Sequence, residues 1–249
     1  MARALKDSAA ITRSSLLNLE IRGIIMTSQN ANAPNVSAWV AASERLGSAL
    51  VLDIMDKLGR KHQAIKNAEP RTVRKTTVGS AKTLLWMDFA HDDPNTYELE
   101  LKAVDSLKSN EVVVCATGNS DRSGIWGELL TTAAKQRGAV GIVTDGGVRD
   151  VGQVEEMGFP VFARYVCPYD SFNRQKVVAY DVLVEIDGVS IRSGDIVVAD
   201  RDGIAVVPSE IATEVLASAK AKAEQEDAFR SAVKAGSSLV AAYEKFHVL

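Results

Sequence analysis

A short uncharged run at residues 139–144 constrains the fold of this chain more than any other feature of its sequence. The run is rich in β-branched residues, which is typical of a strand that is covered on both faces. The helical pattern before it, residues 128–136, ends at Gly138, and glycine readily takes the left-handed conformation found beyond many helix ends. A helix followed at once by a buried strand indicates an α/β fold.

The residues after this strand carry the candidate chemistry. Asp145-Gly146-Gly147 is predicted to turn the chain, so that Arg149 and Asp150 emerge just beyond the turn. We expect this pair to lie near the start of the preceding helix, at one edge of the sheet. Helix starts carry free N–H groups that attract anions, and a carboxylate can hold a divalent metal. The stretch therefore suggests a site for a small acidic substrate on a metal, although the pair taken alone also fits an ion pair that stabilises a turn.

Composition and charge narrow the classes of partner. The chain has a formal net charge of −3 and 6% aromatic residues, and its cations are spread out rather than clustered. We therefore expect neither a nucleic-acid partner nor a membrane surface. No apolar run approaches the roughly 18 residues of a membrane span. Cys115 and Cys167 stand apart without a CxxC pair, which predicts a reduced, cytoplasmic setting and no structural zinc site.

The remaining pattern predicts one domain, with helices first, a mixed central layer, a β-rich second half and a long C-terminal helix. Ser37 is expected to cap a helix that runs to residue 46, and Gly79 to bend or bulge a strand at residues 72–83. The other predicted elements are helices at 48–57, 97–107, 151–157 and 209–235, strands at 111–116, 161–163 and 177–186, a polar loop at 117–126 and a hairpin turn at Asp187-Gly188.

Residues 1–35 are predicted to be an N-terminal extension that is poorly ordered, and the folded domain is predicted to span residues 36–249. The first 25 residues contain Arg, Lys and Ser with few acids, a composition faintly like that of a mitochondrial transit peptide. Asp7 and Glu20 weaken that interpretation, and Met26 offers an alternative start.

Motifs in a consistent order extend over roughly residues 36–236. They are Gly127-Glu128-Leu129-Leu130, Arg137-Gly138, DGGVRD at 145–150, GFPVFAR at 158–164, SGDIVVAD at 193–200, Asp202-Gly203 and Val206-Val207-Pro208. Together these motifs resemble the RraA-like family. The resemblance implies an α/β fold of the swivelling β/β/α sandwich type, and homotrimers or homohexamers with sites between subunits.

The resemblance implies one of two functions. Some members are class II, metal-dependent pyruvate aldolases that act on 4-hydroxy-4-methyl-2-oxoglutarate or 4-carboxy-4-hydroxy-2-oxoadipate, often with oxaloacetate decarboxylase side activity. Others are non-catalytic regulators that bind and inhibit a ribonuclease. Glu128, Arg149 and Asp150 together favour the enzyme, because a binding module has no need of a set suited to a metal and an enolate. A member that acts on a different 2-oxo acid or sugar acid is a further alternative.

The aldolase pattern, transferred position by position, implies a role for each residue. Asp150 binds the metal directly, Glu128 reaches it through ordered water, and Arg149 holds the keto oxygen and carboxylate of the pyruvate portion. The implied metal is Mg²⁺, with Mn²⁺ or Co²⁺ as alternatives. The implied substrate-binding residues are Gly127, Glu128, Leu129, Leu130 and Arg149, with the backbone N–H groups of the two leucines on the substrate carboxylate.

A carboxylate from a neighbouring subunit's C-terminal helix is also implied at the metal's water shell. Glu226 is the best match for it, and Glu224 is the alternative. Arg122 or Arg164 could bind the distal carboxylate of the substrate. Three residues of one loop could also face the pocket: Tyr169, Asn173 and Arg174.

Overall fold

A computed structural model describes residues 34–248, so the predicted extension lies almost wholly outside the described residues. The helices are α1 (Val36–Ala42), α2 (Ser48–Lys57), α3 (Glu98–Asp105), α4 (Glu128–Gln136), α5 (Val151–Glu156), α6 (Ala212–Lys234) and α7 (Leu239–Phe246), with a 3₁₀ turn at Ser209–Ile211. The strands are β1 (Ala64–Ile65), β2 (Glu69–Pro70), β3 (Thr77–Asp88), β4 (Glu111–Ala116), β5 (Gly124–Trp126), β6 (Gly141–Val148), β7 (Val161–Val166), β8 (Gln175–Tyr180), β9 (Val184–Ile186), β10 (Val189–Ile191), β11 (Ile196–Ala199) and β12 (Ile204–Val207).

A curled mixed sheet forms the centre of the domain. Strands β3, β4, β6 and β7 lie side by side and run parallel, and β5 pairs in parallel with the far end of β6. Strands β11, β12 and β1 continue the sheet from β3 with antiparallel pairing, and β2 closes the other edge against β7. The parallel strands bring the ends of β4 and β6 to the same edge of the sheet, beside the start of α4.

Alternating side chains of the central strands enter different layers, because neighbouring residues of a strand point to opposite faces. Val113 packs with α3, α4 and α5, whereas Val112 and Val114 pack with the β9–β10 hairpin on the other face. A third cluster packs α1, α2 and α6 against β3, β11 and β12, around Trp39 and Val198. The hairpin, sheet and helix layers confirm the predicted α/β sandwich, its single domain and its long C-terminal helix.

Several predicted elements are confirmed residue for residue. The bounds of α2, α4 and β4 are those predicted, and Gly138 has a φ of +88° immediately beyond α4. Asp187 and Gly188 have φ values of 52° and 79°, and they connect β9 to β10 as a tight hairpin. No helix within residues 34–248 has both the length and the apolar character that crossing a membrane requires.

The predicted turn at Asp145-Gly146-Gly147 is wrong, because these residues continue β6 in a fully buried strand. The pairing of β6 with β7 shifts register between Thr144 and Gly147, so the glycines mark an irregularity within the strand. A Cβ at Gly147 would lie 2.5 Å from the Tyr165 ring and 2.7 Å from the Ser123 carbonyl oxygen. Glycine is therefore required there for close packing of three chain segments.

Other predicted boundaries are also wrong. Helix α1 is capped by Asn35, whose Oδ1 accepts from the Ala38 N–H at 3.1 Å, and it ends four residues before the predicted end at residue 46. Strand β3 spans residues 77–88 instead of 72–83, and Gly79 makes room for the Asn110 carbonyl, which would lie 2.4 Å from a Cβ. The predicted strand at 177–186 is interrupted at Asp181, which has a φ of 56°.

Candidate active site

A cavity of about 250 Å³ opens where the start of α4, the end of β6 and the loop before β8 meet. The residues that line it are Tyr97, Glu100, Leu101, Gly124, Ile125, Gly127, Leu129, Leu130, Arg149, Asp150, Asp170 and Ser171. Strand β5 lies within the predicted polar loop at residues 117–126, and it is buried. Its pairing with β6 fixes the segment that leads into α4, so the cavity has a rigid wall.

Asp150 reaches back across the cavity to the start of α4. Its backbone is left-handed, with φ 54° and ψ 33°, and its Oδ2 accepts from the Glu128 N–H at 3.2 Å. A Cβ at Gly127 would lie 2.5 Å from that oxygen and 3.0 Å from Cγ of Arg149. Gly127 is therefore the residue that allows Asp150 and Arg149 to approach the helix start.

The first turn of α4 leaves two backbone donors available. The first hydrogen bond of the helix runs from the Thr131 N–H to the Gly127 carbonyl at 3.0 Å. The N–H groups of Leu129 and Leu130 precede this ladder, and no acceptor for them occurs within residues 34–248. Both residues line the cavity, so their amides are free for an anionic ligand.

Arg149 lies between two carboxylates. Its Nη1 is 3.0 Å from Oδ2 of Asp170, and its Nε is 3.6 Å from Oδ2 of Asp150. Asp170 also accepts from the Tyr97 hydroxyl and the Phe172 N–H, both at 2.8 Å. Burial opposes the charge on Asp170, but these hydrogen bonds and Arg149 hold its pKa below the ordinary value. The guanidinium group is therefore fixed in orientation beside the cavity.

Glu100 lines the same cavity as an almost fully buried acid. Its relative exposure is 3%, and its Oε2 has no hydrogen-bond partner among the described residues. Burial raises the pKa of this carboxyl group to about 8, the negative charge of Asp170 adds to the rise, and Arg149 opposes it. Sequence reasoning missed Glu100. The sequence feature that could have identified it is its position in the apolar stripe of α3, three residues before Ala103 and four before Val104.

The carboxylates of Glu128 and Glu226 are not among the groups that line the cavity. Oε1 of Glu128 accepts from the Thr132 hydroxyl at 2.9 Å, one turn along α4. Glu226 lies 3.6 Å from Lys222 and lines a separate groove of about 610 Å³ between α2 and α6. That groove is larger, but it contains neither Arg149 nor Asp150. The predicted role of Glu226 concerns another copy of the chain, so it stays a prediction.

The other sequence candidates also lie away from the cavity lining. Arg122 and Arg164 donate to backbone carbonyls at 3.0 and 3.2 Å. In the loop before β8, it is Asp170 and Ser171 that line the cavity. The three loop residues named from the sequence do not line it: Tyr169, Asn173 and Arg174.

Residues 48–206 match the model of a protein family described as RraA-like, Aldolase/RraA. The chain belongs to the RraA-like family. A relative from Halalkalibacterium halodurans, named as a candidate 4-hydroxy-4-methyl-2-oxoglutarate aldolase, is 30% identical over 205 residues. The match covers 82% of this RraA-like chain and 93% of the relative.

Two further proteins show the range of names among the relatives of this chain. Protein DlpA of Legionella pneumophila is 26% identical over 199 residues, and this RraA-like chain spans only 32% of its length. The crystal structure of Streptomyces coelicolor RraAS2, described as an unusual member of the RNase ES inhibitor RraA family, is 29% identical with a TM-score of 0.70. That match covers 79% of this chain and 97% of RraAS2.

A metal at the cavity of this RraA-like chain would depend mainly on Asp150. Within residues 34–248, no three or more His, Cys, Asp or Glu side chains are grouped so that they could hold a metal ion. Oδ2 of Asp150 receives the Glu128 N–H, whereas no hydrogen bond to its Oδ1 occurs in the described part of the chain. The side chain is 38% exposed, so this oxygen can serve a cation that keeps most of its water.

Proposed function

We propose that this chain is a divalent-metal-dependent lyase that forms pyruvate. The proposed substrate is a 4-hydroxy-2-oxo acid such as 4-hydroxy-4-methyl-2-oxoglutarate, cleaved between C3 and C4 into pyruvate and a second oxo acid. Oxaloacetate decarboxylation is the proposed side activity, because both reactions pass through the enolate of pyruvate. The proposal is carried by the meeting of Arg149, Asp150 and the free N–H groups of α4 around one cavity.

The proposed cofactor is Mg²⁺, with Mn²⁺ or Co²⁺ as alternatives, and Asp150 is its ligand from this chain. Magnesium binds through one or two carboxylates and retains several waters, which suits a single half-exposed aspartate. When bound, the cation spreads the negative charge that develops on the 2-oxo acid. Asp150 has its orientation fixed by the Glu128 N–H and by Arg149.

Arg149 holds the pyruvate portion in this proposal. Its Nη1 is anchored on Asp170, and its planar fork can bind a carboxylate oxygen and the keto oxygen together. The positive charge lies beside the position where the enolate forms, and it stabilises that enolate more than the neutral ketone. The N–H groups of Leu129 and Leu130 bind the substrate carboxylate at the helix start.

Glu128 has a proposed role in the departure of the proton from the 4-hydroxyl group. Its side chain hydrogen-bonds Thr132 at the surface of α4, so a rotation is required to bring it toward the cavity. After that rotation the carboxylate can orient the water that accepts the proton. In this proposal Glu128 acts on the departing proton, whereas Arg149 acts on the enolate and Asp150 on the metal.

A second copy of the chain is the proposed partner, in a homotrimer or homohexamer. Exposed apolar side chains belong to the segments around the cavity, and such a patch is typical of an interface. They are Leu101 at 55% exposure, Leu129 at 76%, Tyr169 at 61% and Phe172 at 44%. In the proposed assembly, Glu226 on α6 of another subunit reaches the water shell of the metal. We propose the cytoplasm as the compartment.

Pyruvate release tests the proposed function. The purified chain is incubated with oxaloacetate and, separately, with 4-hydroxy-4-methyl-2-oxoglutarate, in the presence of Mg²⁺ or of a chelator. We expect pyruvate from both substrates with the metal and none above background with the chelator. If neither substrate gives metal-dependent pyruvate, the proposal is contradicted.

The alternative function is binding and inhibition of a ribonuclease, and it rests on the similarity to RraAS2. A regulator of this kind requires a binding surface but no reactive cavity. A chain that forms no pyruvate, and that slows RNA cleavage by an RNase E-type enzyme, would favour this alternative. We prefer the lyase because three kinds of group meet at one cavity. They are the guanidinium group of Arg149, the free Oδ1 of Asp150 and the free N–H groups at the start of α4.

A further inference from the structure

The enolate left by carbon–carbon cleavage must gain a proton at C3 before pyruvate can leave. The proton donor must lie at the cavity and must carry a proton at neutral pH. It must also be free of other hydrogen bonds. The groups around the cavity of this chain can be compared on these three criteria.

Most polar groups at the cavity fail one of the criteria. Asp150 is the proposed metal ligand, and Asp170 is a carboxylate that Arg149 helps to hold at a lowered pKa, so neither is available as a proton donor. The Tyr97 hydroxyl already donates to Asp170 at 2.8 Å, and burial together with that carboxylate raises the pKa of Tyr97 to about 12. The Ser171 hydroxyl lies 3.4 Å from the same carboxylate.

Glu100 meets all three criteria. Residues 97, 100 and 101 share one side of α3 because helical neighbours recur three and four positions apart, and all three line the cavity. The carboxyl group is buried, and its Oε2 has no partner among the described residues, which is rare for a buried polar atom. Burial and the charge of Asp170 raise its pKa to about 8, so the acid form dominates at neutral pH.

We propose, on the basis of the function proposed above, that Glu100 is the catalytic acid that protonates C3 of the pyruvate enolate. The O–H bond of Glu100 breaks as the C3–H bond forms with the electron pair of the enolate double bond. The C2–O bond then becomes the ketone of pyruvate, and Glu100 is left as a carboxylate that regains a proton from water. The reverse of this step removes a proton from the methyl group of pyruvate.

Hydrogen exchange of pyruvate tests this step apart from cleavage. Pyruvate is incubated in D₂O with Mg²⁺ and the full chain, and loss of the methyl signal is followed by proton NMR. We expect exchange with the wild type and at least about a 100-fold slower rate with Glu100→Gln, since a positioned acid–base group contributes roughly 10² to 10⁴. Glu98→Gln is the matched control, because Glu98 is on the same helix but is exposed and paired with Lys102.

Glu100→Asp distinguishes proton transfer from a structural role. It keeps the acid with a shorter side chain, so we expect exchange at least tenfold faster than with Glu100→Gln. A folded Glu100→Gln variant that exchanges at the wild-type rate would overturn the role of Glu100 and leave the lyase intact. If Glu100→Gln does not fold, a folded Glu100→Asp variant without exchange would overturn the role. A wild type that neither forms pyruvate nor exchanges its methyl protons would contradict the lyase itself, and this role with it.

Discussion

Two buried carboxyl groups near the same edge of the sheet have opposite surroundings. Asp145 in β6 is 2% exposed and accepts from the N–H and hydroxyl of Thr117 at 2.6 and 2.9 Å, and from the Asn119 N–H at 2.8 Å. Glu100 in α3 is 3% exposed, and its Oε2 has no partner among the described residues. Equal burial therefore leaves one acid tied to the backbone and the other available to a ligand.

Asp145 belongs to a region that supports the cavity, whereas Glu100 belongs to the cavity itself. Asp145 joins β6 to the loop that follows β4, and this loop leads into β5 and then α4. Its hydrogen bonds help to hold the chain segments that bring Arg149 to the cavity. Substitutions near Asp145 are therefore expected to reduce stability, whereas substitutions at the cavity are expected to reduce activity.

The largest effect is expected at the cavity itself. Arg149→Ala and Asp150→Asn should each reduce kcat/KM for pyruvate formation by at least about 10²-fold, because the first removes a donor to the enolate and the second removes the charged ligand of the proposed metal. Asparagine tolerates the left-handed backbone found at Asp150, so the Asp150→Asn variant should keep the wild-type fold. Steady-state kinetics and thermal unfolding measure the two effects. Arg122→Ala is the control, and near-normal rates in either cavity variant would refute the site.

A stability effect is expected at Asp145. Asp145→Ala leaves both donors of the buried Thr117, and the Asn119 N–H, without their acceptor, which should lower the free energy of unfolding by roughly 2 to 4 kcal/mol. Urea unfolding measures this loss, and kcat per folded molecule should change little. Asp105→Ala removes an exposed carboxylate that pairs with Arg137, and it should cost less than about 1 kcal/mol. Equal losses of stability in the two variants would contradict the supporting role of Asp145.

Glu100 should make stability depend on pH. Its pKa rises from an ordinary 4.5 to about 8 on folding, so between these values the folded chain keeps a proton that the unfolded chain has lost. Stability contributed by Glu100 is fully present below pH 4.5 and is lost as the pH rises toward 8. Glu100→Gln cannot ionise and should gain roughly 2 to 4 kcal/mol relative to the wild type across that window.

Urea unfolding at several pH values measures this gain. The titratable and charged groups that face Glu100 are Asp170, Arg149, Tyr97 and Cys115. Asp170 has a lowered pKa, while burial raises the pKa values of the Tyr97 phenol and the Cys115 thiol, so none changes charge in the window. A difference between wild type and Glu100→Gln that does not vary with pH would refute the prediction.

The smallest effect is expected from a single methyl group at the helix start. Gly127→Ala places a Cβ against Oδ2 of Asp150 and Cγ of Arg149, so both must shift. We expect about a tenfold loss of kcat/KM and a stability loss of roughly 1 to 2 kcal/mol. Gly152→Ala is the control, because no atom lies within 4 Å of its added Cβ. Wild-type activity in Gly127→Ala would show that the approach of Asp150 to α4 is dispensable.

Local sequence determined the elements whose signals are local. The bounds of α2 and α4 follow from apolar periodicity and from glycines at their ends, and the β9–β10 hairpin follows from Asp187-Gly188. Arg149 and Asp150 were placed near the start of α4 by the order of helix, buried strand and predicted turn, although β6 itself continues to Val148 in place of that turn. The site could be predicted to this extent because short connections keep neighbouring elements together.

Only the tertiary structure decided the rest, because the deciding contacts join residues far apart in the sequence. Strand β6 continues through Asp145 because donors from the loop after β4 satisfy its carboxylate. Asp170 meets Arg149 through a loop that has no motif of its own. In the sequence Glu100 is marked only by its place in the apolar stripe of α3, and the packing of α3 against the cavity is what removes it from water. Its charge state, and with it the proposed chemistry, is a property of that burial.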